Sequence, residues 1–344
     1  MPNTFNLLGS PGGIDLVPEI CLRIAEHAID EDPKAAAVLL SVSKSFRSLL
    51  QSYETSITKA LSKHDGRLIY VNSSEPLVLS SRIPPDNATV SSLTYEWYLE
   101  MRTRSSQLEY LTNHEITQMD DDINGWPTLD IPKGELRQRE REFKRRAFCL
   151  LYRFADCTAG VDGTHNIRTT QAQYLECLNE VELSTLGCLV EIIGQGFFNI
   201  TKKVLLASPL ATLGSTSTRI APAPLSSQPQ INSPALWNDH DNWTRENMCV
   251  FEDRIQRYGP YFAWSYVAGS KNRNRRPDLW AQSELQQGLN DMNAYELGYT
   301  MAYASLQSVV WRVFCRKTNC ALQDSWNEAR KLVESEMKSI GIET

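Results

Sequence analysis

LVPEICLRIAEHAIDEDPKAAAVLLSVSKSFRSLLQSYETSITKAL, residues 16 to 61, contains a turn, a helix, a connector and a second helix. Pro18 opens the first helix, because its fixed φ and missing N–H suit a first helical turn, and Glu19 sits where the positive end of the dipole favours a carboxylate. Ile20, Ile24 and Ala28 fall on one face with Cys21 beside them. The connector Asp30 to Pro33 breaks the helix, since a residue before proline is pushed out of the α region. From Ala35 a second amphipathic helix runs through Leu39, Val42, Phe46, Leu49 and Leu50, with Ser43, Lys44 and Arg47 on its other side. Short helices alone bury little surface, so this unit needs the rest of the chain or a partner to cover it.

The same stretch resembles an F-box, the helical module that docks a substrate receptor onto the Skp-type adaptor of a cullin-RING (SCF-type) ubiquitin ligase. The family opens on Leu-Pro-x-Glu-Ile; here the residues are Leu16-Val17-Pro18-Glu19-Ile20, with Val17 in place of the first proline and Pro18 one position later. The later half of the pattern is present as Leu39, Leu40, Val42-Ser43-Lys44-Ser45-Phe46-Arg47 and Leu49. The resemblance implies adaptor-facing roles for Leu16, Pro18, Ile20, Ile24, Val42, Phe46 and Leu50. On the residues alone, the stretch also reads as a helical hairpin closing on its own core.

With 344 residues the chain is long enough for a small N-terminal module and a larger body. A formal net charge of −6 argues against a general nucleic-acid binder, which carries a basic surface to displace counterions. Residues 1 to 15 lack a charged start followed by a long apolar run, so no secretory leader or membrane anchor is expected and the location expected is cytoplasmic or nuclear. The eight cysteines are scattered among apolar neighbours, which suits reduced thiols better than a disulfide framework.

The expected organisation is a flexible N-terminus at 1–15, the F-box-like module at 16–62, a linker at 63–90 and a helical body at 91–344. Within the linker, Leu68 to Val71 and Leu77 to Leu79 read as a small hairpin or as extended chain. The body starts with a helix from Ser91 to about His114, with Arg102 and Arg104 on its wet side. A second runs from Glu135 to about Asp156, its arginines and lysines interleaved with Glu135, Glu140 and Glu142 as a salt-laced surface. A short helix around Tyr174 and Leu178 precedes a longer one through Leu186, Ile193, Phe197 and Val204, where Gly194 and Gly196 admit a close neighbour or a bend. Residues 208–234 are rich in Pro, Ser, Thr and Ala and read as a disordered insertion. Beyond it come Trp237, Met248, Phe251 and Ile255, an aromatic cluster from Tyr258 to Tyr266 assigned to core, a helix from Pro277 to about Phe314, and one from Leu322 to Met337.

Segments of this body, Phe148 to Cys157, Cys249 to Arg254 and Gly259 to Trp264, resemble the bodies of F-box-like proteins from fungi, which implies no chemistry. No fixed repeat period recurs. The sequence contains no Gly-rich phosphate loop, Gly-x-Ser-x-Gly elbow or His-Glu-x-x-His helix. His27, His64, His114 and His165 stand alone, and Cys315 and Cys320 have no second Cys/His pair beside them, so no zinc site is expected. One enzyme pattern is the magnesium-binding pair of a class I terpenoid synthase: Asp120, Asp121 and Asp122 supply a first acidic motif, and Asn238 with Glu246 has the outer spacing of the second. Asn124 and Asn242 depart from that pattern.

The resulting expectation is a mainly α-helical, non-catalytic substrate receptor of an SCF-type ligase. Its partners are a Skp-type adaptor and an unidentified protein, with no cofactor, metal, nucleic acid or membrane. A helical scaffold without a ligase role, and the magnesium-dependent enzyme, are the alternatives.

Overall fold

A computed structural model describes residues 5–6, 15–64, 77–79, 86–118, 133–207, 236–268, 277–296 and 305–339. Its architecture is mainly α, as expected, with twelve α-helices and two short antiparallel strand pairs among the described residues. The chain divides into two compact units, residues 1–106 and 107–344. The boundary falls inside the helix Tyr95–Thr112.

The N-terminal unit is built on α1 (Pro18–Glu31), α2 (Ala35–Val42) and α3 (Lys44–His64). Pro18 takes the first helical position of α1 after an extended Val17. The helix runs through Asp30 and Glu31 and stops at Asp32, whose backbone is extended before Pro33. The Asp32 side chain then accepts from the Lys34 N–H at 3.0 Å, making the turn into α2.

The expected single helix from Ala35 to Leu50 is in fact two. Ser43 is extended (φ −155°, ψ 160°) and its Oγ accepts from the Phe46 N–H at 3.1 Å, capping α3. A short polar side chain that can bond the backbone locally favours a cap over a helix interior. Across the break, Arg47 Nε donates to the Leu40 carbonyl at 2.7 Å, satisfying an acceptor that α2 leaves open.

Strand β1 (Phe5–Asn6) pairs with β2 (Asp15–Leu16), and β3 (Leu77–Leu79) pairs with β4 (Asp86–Val90). Leu77–Leu79 thus pairs with Asp86–Val90, while Leu68–Val71 lie outside the described residues. Helix α4 (Tyr95–Thr112) follows. Thr94 caps it, and Glu54 of α3 accepts from the Tyr95 N–H at 2.6 Å, placing a carboxylate at the positive end of its dipole. The Tyr95 hydroxyl donates to the Leu50 carbonyl and Thr58 donates to that of Leu93, whose φ is +64°. Arg104 is not on a wet side: it is buried with Glu100 at 2.9 Å, one helical turn away.

In the second unit α7 (Glu180–Ala207) is the axis. Helices α5 (Lys133–Asp156), α8 (Leu236–Tyr258), α11 (Leu306–Thr318) and α12 (Ser325–Ser339) pack on it, as does the 3-10 turn Glu115–Thr117. Two glycines of α7 permit this. A Cβ at Gly196 would collide with the Ile116 carbonyl, and one at Gly187 would lie 2.5 Å from the Trp311 ring. Helix α6 (Thr164–Cys177) lies against α5 and α11, and α9 (Pro260–Val267) and α10 (Pro277–Glu296) pack with α8. The expected helix from Pro277 to Phe314 is two helices, α10 and α11. The aromatic cluster is core: Tyr261 and Phe262 are buried, and the rings of Tyr258, Tyr261 and Phe262 all lie within 5.5 Å of Trp280.

The segment Glu180–Lys203 is long and apolar enough to cross a membrane by length and composition alone, and 72% of its most apolar window is buried in this protein.

Candidate protein-docking face

In α1 the stripe turned inward is Cys21, Ala25 and Ile29, all fully buried. This is one position around the helix from the expected face of Ile20, Ile24 and Ala28. Two of the three inward residues are small, and α1 packs this stripe against α2 and α3 while Ile20 and Ile24 lie outside it. Ile20 is 47% exposed and Ile24 45%, one turn apart on the same side. Helix α2 repeats the arrangement: Ala36 is buried, whereas Val38 at 64% and Val42 at 45% are exposed, again four residues apart.

The residues given adaptor-facing roles thus separate into three groups. Ile20, Ile24 and Val42 are on the surface, and Leu16 and Pro18 are half-buried. Phe46 and Leu50 are buried side chains of α3, and the Leu50 carbonyl holds Tyr95 from within the same unit. As an aromatic and a leucine four apart, they lie on the inward stripe of α3. Val17 and Val38, outside the set given adaptor-facing roles, are exposed as well. For Val38 the signal was available, since it stands one turn before Val42 in a nearly all-apolar helix.

Near the α1 stripe Arg23 pairs with Glu26 at 3.1 Å, and the His27 ring lies 3.5 Å from the Glu31 carboxylate. Burial raises the Cys21 thiol above its usual range, so it behaves as a small apolar residue. An exposed aliphatic stripe suits contact with another apolar surface more than ion recognition.

Other candidates occupy different surroundings. His114 caps the turn at Ile116, accepting at 3.1 Å, and its ring stacks on Tyr110. Burial lowers its pKa, keeping it a neutral acceptor. The basic face of α5 is salt-laced as expected: Lys144 pairs with Glu140, Arg146 with Glu142 and Glu336, and Arg141 with Glu109. The acidic triplet Asp120 to Asp122 lies outside the described residues, Asn238 and Asn242 have only their backbone described, in α8, and Glu246 is an exposed position there. Among the described residues no three His, Cys, Asp or Glu side chains gather into a metal-sized cluster. An enclosed cavity beside Phe143, Val333 and Met337 has about 10 Å³, room for a single water.

No family model, curated protein or solved structure matches this chain.

Proposed function

We propose that the chain is a substrate-receptor subunit of an SCF-type ubiquitin ligase, docking on a Skp-type adaptor through α1 and α2 while the second unit carries an unidentified protein to the ligase. The observation that carries this reading is the outward placement of Val17, Ile20, Ile24, Val38 and Val42, five aliphatic residues on the unit whose sequence resembles an F-box. Helix α1 buries one isoleucine, Ile29, with Cys21 and Ala25, and leaves two others, Ile20 and Ile24, nearly half exposed. The mechanism is positioning, with no covalent step assigned to this chain.

The test is a pull-down of purified full-length protein against a purified Skp-type adaptor. The informative variant is Ile20→Glu with Val42→Glu, because both positions are exposed and the fold is retained, as circular dichroism would check. Truncating one interface anchor costs about 2 kcal/mol, roughly thirty-fold in affinity, and a charge in each anchor position costs at least as much. Wild-type binding lost in the variant is the expected result. Equal binding by both proteins, or none by the wild type, overturns the reading.

A further inference from the structure

The end of α11 brings two thiols together. Cys315 and Cys320 are free, both half-buried, and their sulfurs lie 3.5 Å apart. The backbone explains why. Asn319, the first residue past the helix, is left-handed (φ 56°, ψ 34°), and the Cys320 N–H returns to the Cys315 carbonyl at 3.2 Å. This closure sets the third residue before the helix end against the second residue beyond it, a contact usually filled by two apolar side chains. Here both positions are cysteine. Thr318 Oγ1 lies 3.2 Å from the Cys320 sulfur and the Ala321 carbonyl 3.7 Å from that of Cys315, so both side chains already occupy one compact turn.

We propose that Cys315 and Cys320 are a dithiol site that closes to an intramolecular disulfide by exchange with a small-molecule disulfide of the glutathione class. One thiolate attacks a sulfur of the reagent, forming a mixed disulfide and releasing one glutathione thiolate. The second cysteine loses its proton and attacks the protein sulfur of that mixed bond, releasing the second glutathione. The two protein thiols are oxidised, the reagent is reduced to two thiols, and the two protons end on them. The sulfurs need to approach by roughly 1.5 Å to reach the length of an S–S bond, which is within reach of side-chain rotation on an anchored turn. Three of the other six cysteines are shielded: Cys21 and Cys188 are fully buried, and burial pushes Cys149 up to about 12. Desolvation and the neighbouring thiol push Cys315 up to about 11, so exchange is faster at pH 9 than at pH 7. The ring encloses Arg316 and Lys317, whose side chains bond Glu176 and the Leu178 carbonyl at the end of α6, so oxidation pins that junction.

The sequence provides a direct readout. Trypsin cuts after Arg316 and Lys317, separating Val313–Arg316 from Thr318–Arg330. Full-length protein is equilibrated in glutathione buffers of increasing oxidation, quenched with acid, alkylated and digested. The expected result is a single linked species, two hydrogens lighter than the sum of the two peptides, dominant while the exposed Cys177 is still alkylated. It is absent in Cys320→Ser, whose circular dichroism matches the wild type. Recovery of the two peptides only as separate alkylated or glutathionylated species at every poise overturns the proposal.

Discussion

Glu252 shows how a single residue is recruited by the fold. It is buried on α8, and its carboxylate accepts from the Ser305 hydroxyl and from the Gln307 N–H at 3.3 Å, so it serves as the N-terminal cap of α11. Burial pushes it from an ordinary 4.5 up to about 7, with Glu191 adding repulsion and the two hydrogen bonds opposing. Glu191, which accepts from the Gln307 side chain, is raised by burial as well. A folded carboxyl with a raised pKa holds its proton where the unfolded chain has lost it. Its contribution therefore falls as pH climbs from about 4.5 to about 7 and stays low above that. Urea unfolding at pH 5.5 and pH 8 checks this: Glu252→Gln is expected to flatten the slope and to raise stability at pH 8 by about 2 kcal/mol, and an unchanged slope counts against it. The glycines of α7 give a second prediction. Gly196→Ala drives a methyl into the Ile116 carbonyl and is expected to destabilise by about 3 kcal/mol, more than Ala at the uncrowded Gly134, in the same unfolding assay. That Gly194 and Gly196 matter was legible in the sequence; which neighbour approaches was not, because the turn at Ile116 is eighty positions away.

At the scale of elements, helix ends are held by other helices. Glu54 of α3 caps α4, Lys317 of α11 donates to the last carbonyls of α6, and Arg139 of α5 donates to the Met337 and Lys338 carbonyls of α12. Buried or crowded termini need such partners, since each helix leaves four donors and four acceptors unmatched. None of these pairings follows from local spacing, which explains why helix existence was legible and several limits were not. The break at Ser43 is the exception that local chemistry explains. Ser43→Ala removes the bond to the Phe46 N–H and is expected to cost about 1 kcal/mol in thermal or urea unfolding. Phe46→Ala, by contrast, empties a buried site in the same helix and is expected to cost about 3 to 5 kcal/mol. A difference of that size between the two variants checks that Phe46 packs inside rather than facing a partner.

For the whole molecule, the division at residue 106 makes a claim about what folds together. Residues 16–61 are tied by Leu50, Glu54 and Thr58 to residues 93–95. A fragment of residues 1–66 is therefore expected to melt without cooperativity, whereas residues 1–113 give a cooperative transition by circular dichroism. Cooperative melting of the shorter fragment would show that 16–62 is self-sufficient. The outward isoleucines and valines belong to this scale too. Each of these five exposed aliphatic residues carries only a small individual cost.

By itself the sequence determined that the protein is helical and where most helices begin, because apolar spacing, prolines and small polar caps act within a few residues. What only the tertiary structure decided was which face of each helix is inside. Periodicity identifies an apolar stripe, but the choice between Cys21–Ala25–Ile29 and Ile20–Ile24 depends on how closely α2 and α3 approach, which no local spacing encodes. The same holds for Phe46 and Leu50, for the buried Glu100–Arg104 pair, and for the meeting of Cys315 with Cys320, which needs the left-handed turn at Asn319 as well as the spacing.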